Sequence, residues 1–330
     1  METSCIPLNA EYRCHGLHNS GNSCFLNVSA QFLMAIGPFY HLSQNVQGDY
    51  PFLRSILQAY TCQRLLEPSS PFWLITELFL GYTPRAIRQN CAGEFLRFFL
   101  GNLDEELKHI RPRQEHDDSF VEAGKRNNSQ SVSFRARGQS VLYDILGLCI
   151  KNEYKAKGHT SICFQEELVL AVQVEANLTT AISKALAIKT VEDYCIDGIP
   201  TTCTVKSQIA SFSPFLLIHI QRFTIVNGKV QKISQHVEFP RTFTIPLKFL
   251  SPSLKLSTES GHVQPPTYEL KGIIEHHGEF ANSGHYTAVI HHGNSWILID
   301  DNQTRFITPD SVRSKQAYIL LYQQNNKENI

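Results

Sequence analysis

The segment Gly16-Leu17-His18-Asn19-Ser20-Gly21-Asn22-Ser23-Cys24-Phe25-Leu26-Asn27 sets a cysteine among residues that could make it reactive. The small and polar positions predict a tight loop, and Asn22 or Ser23 can cap a helix that begins at Cys24. A thiol in a first helical turn feels the positive end of the helix dipole, which favours thiolate. Free backbone N–H groups there, with the side-chain amide of Asn19, could hold a developing oxyanion. The predicted chemistry is nucleophilic attack on a carbonyl carbon.

Such a thiol needs a base. The candidate lies in Ser283-Gly284-His285-Tyr286-Thr287-Ala288-Val289-Ile290, followed by His291-His292-Gly293-Asn294 and Ser295-Trp296-Ile297-Leu298-Ile299-Asp300-Asp301. Two strand-like runs around a glycine predict a hairpin. A two-residue turn at His292-Gly293 sets Asp300 opposite His285; one at Gly293-Asn294 sets it opposite Thr287, diagonal to His285. Either register puts imidazole and carboxylate on one face, with β-carbons ~5–8 Å apart. Asp301 would then point the other way, whereas a three-residue loop would exchange the two aspartates. A carboxylate beside a histidine orients the ring and stabilises the imidazolium. A metal site built from His276, His277, His291 and His292 is disfavoured, because neighbours on a strand face opposite sides.

These groups need a frame. From Arg13 to Ile110 apolar residues recur at helical spacing, in 25–36, 52–66, 72–80 and 94–110, the first helix stopping before Gly37-Pro38. The stretch 111–139 is polar, mixed in charge and rich in Gly, Asn and Ser, and reads as a mobile insertion. From Ser140 onward strand-like runs follow: Ser161–Val174, Phe215–Phe223, Tyr268–His276, His285–His291, Ser295–Asp300 and Ala317–Tyr322. Helices first and antiparallel strands later predict an α+β fold. The polar residues 324–330 read as a fraying tail and 1–12 as an extension.

Composition narrows the class. Apolar residues make up 42% of 330, enough for a large core, and 30 basic side chains balance 30 acidic ones. Zero net charge argues against a nucleic-acid surface, and no apolar run is long enough to cross a bilayer. The nine cysteines are odd in number, irregularly spaced and without a Cys-x-x-Cys, so reduced thiols and a cytoplasmic or nuclear protein are expected.

Gly16–Gln31 resembles the cysteine box of the ubiquitin-specific proteases, the papain-like deubiquitinases, and Tyr268–Asp301 resembles their histidine box. Between them Gln89-Asn90-Cys91-Ala92-Gly93-Glu94-Phe95-Leu96 is similar to the family's Gln-Asp-Ala-x-Glu-Phe helix. Pro214–Phe223 is similar to its strand ending in Arg-Phe, and Ala317–Tyr322 fits its last strand. The resemblance implies a papain-like catalytic domain over 13–323, with a helical thumb to about residue 110 and a β palm and fingers from 140. It implies Cys24 as nucleophile, His285 as general base, Asp300 as orienting carboxylate, Asn19 as oxyanion donor and Asp301 as an assisting acid. Gln89, Glu94, Gly284 and Tyr286 are the implied substrate-binding residues. The substrate would be the Gly-Gly tail of ubiquitin joined to a lysine, the partners ubiquitin and ubiquitinated proteins, and the state a monomer without a cofactor. An inactive ubiquitin-binding scaffold and a protease for a ubiquitin-like modifier are the alternatives. The sequence also departs from the family. Gly198 stands where a Cys-x-x-Cys partner of Cys195 would be, and Cys163 has none, so no structural zinc is expected in the fingers. Cys91 and Gly93 replace usual polar residues of the helical motif, and Ser23 replaces a threonine. Lys327-Glu328-Asn329 resembles a short degradation signal.

Overall fold

The helix that begins at Cys24 is apolar almost all round, and so it is buried along nearly its whole length. In the computed structural model this is α1 (Cys24–Ala35), surrounded by α2 (Gly37–Ser43), α3 (Pro51–Thr61), α4 (Pro71–Leu80) and α5 (Ala92–Ile110). The residues described are 15–44, 48–82, 88–110, 121–122, 129–134, 140–156, 158–196, 199–261, 264–280 and 283–325; the degradation-signal resemblance at 327–329 lies outside them. Gly37-Pro38 ends α1 but also starts α2, with the proline in the first turn, where its missing N–H has no intrahelical partner to lose. The helix expected over 52–66 stops at Thr61, because Cys62 is extended. Phe25 and Phe79 both meet Phe95 edge-on, at 5.5 and 5.2 Å between ring centroids, which locks α1, α4 and α5 together.

The strands in chain order are β1 (Val121–Glu122), β2 (Ser129–Phe134), β3 (Leu148–Ala156), β4 (His159–Glu167), β5 (Leu170–Gln173), β6 (Lys189–Ile196), β7 (Ile199–Ser211), β8 (Phe215–Gln221), β9 (Phe223–Val226), β10 (Lys229–Lys232), β11 (Thr242–Thr244), β12 (Thr267–Phe280), β13 (Ser283–His292), β14 (Ser295–Asp300), β15 (Gln303–Ile307) and β16 (Ala317–Gln324). The fingers are a sheet ordered β1-β2-β4-β3-β7-β6, and the palm is a sheet ordered β15-β14-β13-β12-β16-β8-β5 with β11 beside β12. One core lies between the thumb helices and the palm, including Phe25, Phe95, Ile274 and Tyr286; a second fills the other face, including Ile218, Tyr268 and Trp296. This is an α+β fold, mostly antiparallel, with parallel pairs at β5–β8 and β2–β4.

Three expectations change. The single run read over Ser161–Val174 is two strands in different sheets, β4 in the fingers and β5 in the palm, with Leu168 and Val169 crossing between them. Part of the stretch 111–139 contributes β1 and β2 to the fingers; the rest lies outside the described residues. The mixed polar and apolar strands β3, β6 and β7 were hidden from an apolar-run reading because much of each remains accessible. No helix among the described residues is long and apolar enough to cross a membrane.

Candidate active site

The loop before Cys24 is built around one amide. Asn19 Oδ1 accepts from the backbone N–H groups of Gly21 (2.9 Å) and Ser23 (3.2 Å) and from the Ser23 hydroxyl (3.1 Å). Those bonds fix which end of the Asn19 amide is oxygen, so its NH2 faces away from the loop. Ser23 does hold the N-cap position of α1, but its Oγ accepts from Ser20 N (2.9 Å) and makes no cap bond to the helix. Ser23 is therefore not a side-chain cap, and the first-turn N–H groups of α1 keep no side-chain partner from it. Cys24 itself is only 2% exposed. Gly16 explains how the loop reaches the end of β14: a Cβ there would lie 2.5 Å from the Asn302 carbonyl carbon, and next to it Leu17 N donates to Asp301 O (2.9 Å).

The histidine comes from the palm hairpin. Ala288 pairs with Ile299 and His292 with Ser295, so the turn is Gly293-Asn294 and the diagonal register is the one adopted. Within it His285 Nε2 and Asp300 Oδ1 are 2.6 Å apart. Cys24 acts on the same imidazole and is the largest influence on its charge. The His285 pKa is pushed up to about 9, chiefly by Cys24; partial burial opposes the rise and Asp300 adds to it.

Asp301 corrects the expectation that it faces away. Strand β14 ends at Asp300, and Asp301 has φ +49°, so the alternation of faces no longer applies. Its carboxylate turns back to the site, where Oδ2 accepts from Asn19 Nδ2 (2.7 Å) and Oδ1 from Asn27 Nδ2 (2.8 Å). Oδ2 is also 4.0 Å from His285 Nε2. Asn27 was missed as a site residue. It is nearly fully buried one turn into an apolar helix, and a polar side chain in that position is the signal that could have found it.

The substrate-contact candidates separate. Gln89 Oε1 accepts from Gly284 N (2.8 Å), so Gln89 ties the start of the thumb motif to the turn before His285. Gly284 is exposed and has φ +147°, and a Cβ there would lie 2.2 Å from His277 O. Glu94 is exposed in the first turn of α5. Tyr286 is a correction: it is 0% exposed, because strand alternation sends it to the face opposite His285. Its ring lies 4.7 Å from that of His276 and 5.8 Å from Tyr318, and it supports the site from beneath. Burial holds His276 well down, at about 4, so that imidazole is neutral.

Both departures in the thumb motif have a structural counterpart. Cys91 Sγ lies 2.8 Å from the Tyr318 hydroxyl. Gly93 sits over His219, and a Cβ would come within 2.8 Å of that ring. Potential metal donors converge in one place among the described residues, at His285, Asp300 and Asp301, all engaged in the bonds above. In the fingers no three such donors meet among the described residues; Cys203 lies opposite Val191 and Cys195 opposite Pro200. His276 is buried and His277 exposed, on opposite faces of β12.

A thiol at a buried helix start, an imidazole and a carboxylate brought together by a thumb and a palm define a cysteine hydrolase with the papain-like arrangement. The fold is similar to the SAGA DUB module of Ubp8, Sgf11, Sus1 and Sgf73 bound to monoubiquitin, with TM-score 0.70 and 19% identity over 98% of this chain and 72% of that one. The same module bound to ubiquitin aldehyde gives TM-score 0.70 and 19% identity over 96% and 71%. Residues 15–322 match the family model described as Ubiquitin carboxyl-terminal hydrolase, and the chain belongs to that family of cysteine-type deubiquitinating hydrolases. Among curated proteins it is 26% identical to Ubiquitin carboxyl-terminal hydrolase 24 of Arabidopsis thaliana, covering 98% of this chain and 67% of that protein. It is 25% identical to Ubiquitin carboxyl-terminal hydrolase 10 of Gallus gallus, where it covers 94% of this chain but spans only 48% of the relative.

Proposed function

We propose that this protein hydrolyses the isopeptide or peptide bond after the C-terminal glycine of ubiquitin, with Cys24 as nucleophile. The observation that carries the reading is the 2.6 Å pairing of His285 Nε2 with Asp300 Oδ1 at an imidazole whose basicity Cys24 and Asp300 raise. The raised basicity of His285 supports a thiolate–imidazolium pair. The Cys24 sulfur attacks the glycine carbonyl, and the oxyanion is met by Asn19 Nδ2 and the first-turn N–H groups of α1. The C–N bond breaks as His285 gives its proton to the departing lysine amine. Water, deprotonated by His285, then displaces Cys24 from the thioester and frees the ubiquitin carboxylate.

Asp300 holds the ring, and Asp301 assists by fixing the Asn19 amide. Gly284 and Glu94 are the exposed candidates for contact with the ubiquitin tail, and Gln89 shapes the turn beside it. Glycine in the last two substrate positions suits a narrow approach, with the folded body of ubiquitin supplying remote binding energy. The structural neighbours bound to ubiquitin and ubiquitin aldehyde support ubiquitin as partner. The odd count and irregular spacing of the cysteines suit a reducing compartment, cytosol or nucleus, and we place the protein there as a monomer. Turnover of a ubiquitin–lysine isopeptide tests the assignment: Cys24→Ala abolishes cleavage while ubiquitin binding survives. Comparable turnover by the variant at matched concentration overturns it.

A further inference from the structure

A cavity of about 480 Å³ lies where thumb, fingers and palm meet, away from Cys24 and His285 in its lining. Its walls come from α5 through Arg97, from the fingers through Ile150 and Asn152, and from the palm through Leu170 and Gln221. The volume is in the range of sites for small organic molecules, and the apolar floor gives such a molecule a surface to bury. The cationic side chains Arg97, Lys184 and Lys189 line it, against one carboxylate, Glu167. Lys184 is already paired with Glu175 at 2.6 Å. Among the described residues neither Arg97 nor Lys189 is ion-paired.

Arg97 has an unusual anchor. Its Nη1 lies 3.0 Å from Nδ1 of His219, a buried ring in palm strand β8. Burial first, and the Arg97 charge second, hold His219 down at about 3, so the ring is a neutral acceptor. A guanidinium held by a neutral imidazole is fixed in direction but keeps its whole charge, and its other N–H groups remain for a ligand. Glu167 offsets one of the two unpaired cations, and Arg97 and Lys189 together still leave the site one positive charge in excess. Its carboxylate accepts from Gln165 Nε2 (2.6 Å), and burial pushes its pKa up in spite of Arg97.

We propose that this junction cavity binds a small organic anion, with its oxyanion group taken by Arg97 and Lys189 and its apolar part laid against Leu170 and Leu186. The site is independent of the catalytic reading, since none of its groups touches Cys24, His285 or Asp300. A ligand there contacts all three parts of the fold at once and so joins them. The oxyanion chemistry is shared by organic phosphates and carboxylates.

Titration calorimetry on the full chain with phenyl phosphate, benzoate, phenol and inorganic phosphate tests the proposal. Saturable binding of phenyl phosphate or benzoate is expected, the stronger of the two naming the source, and phenol binds at least about tenfold more weakly. Arg97→Gln weakens the better ligand about tenfold or more, and Lys189→Gln, an exposed position outside the core, weakens it severalfold with an unchanged melting temperature. If Arg97→Gln fails to fold, the Lys189 variant and the phenol comparison decide. No saturable binding of either anion, equal binding of phenol, or unchanged affinity in Lys189→Gln overturns it. Ubiquitin–lysine turnover measured beside it reports separately on the catalytic proposal.

Discussion

His285 carries the strongest control over charge in the site. Its pKa of about 9 means that the imidazolium persists well above the ordinary histidine range. The proposed thiolate–imidazolium pair then sets a basic limb, and kcat/KM falls as pH rises through about 9. The same shift is a statement about stability. A histidine whose pKa is raised on folding contributes stability fully below its unfolded pKa of ~6.5, and that contribution is lost as pH rises through about 9. Thermal melts across this window should show the slope in the parent chain and a flatter one in His285→Gln. Asp300→Asn removes the charge at Nε2, so it moves the basic limb to lower pH and lowers turnover by about 100-fold or more. Asp301→Asn leaves the limb closer to that of the parent, because Asp301 acts mainly through Asn19 and Asn27. It is the less damaging change; the reverse order in turnover passes the orienting role to Asp301.

At the scale of elements, the packing of α5 on the palm depends on an absence. Gly93→Ala puts a Cβ 2.8 Å from the His219 ring, and the gain in helix propensity does not offset that clash. A net loss of about 1 kcal/mol or more is expected from denaturant unfolding. Combining it with His219→Ala, which opens the space, costs less than the two single changes added, a coupling that a double-mutant cycle measures. Additive effects contradict the packing argument. Asn27→Ala breaks the tie between α1 and the end of β14 and removes the partner of a half-buried carboxylate oxygen of Asp301, a loss of about 1 kcal/mol or more. The sequence showed those elements whose pattern was strong: apolar spacing marked α1, α3, α4 and α5, and glycine at 293 marked the hairpin that carries His285 and Asp300. It did not show Asp301 turning inward, because one left-handed residue reverses the direction that strand alternation predicts. Nor did it show Tyr286 as support rather than contact, although alternation from His285 already implied its face. The break between β4 and β5 was hidden since the crossing residues Leu168 and Val169 are themselves apolar and the chain changes sheets without a glycine or proline.

Across the whole molecule, one sheet spans the fingers and another the palm, and helical thumb and palm meet at the thiol. The fingers join strands β3, β4, β7 and β6 by antiparallel pairing, with Ile162 and Val205 among the buried side chains. Because no fingers thiols converge with other donors among the described residues, a strong chelator should leave the melting temperature unchanged, and elemental analysis of the purified protein should find no stoichiometric zinc. One equivalent of zinc with destabilisation on chelation would contradict that account of the fingers. The central claim concerns the other end of the chain's organisation, where thumb and palm bring Cys24 to His285. Its most direct test is reaction of the purified protein with ubiquitin carrying a C-terminal electrophile, followed by intact-mass analysis. The account predicts one ubiquitin adduct per chain, mapped to Cys24, and none in Cys24→Ala. No adduct on the folded parent chain, or an adduct that persists in Cys24→Ala, would contradict it.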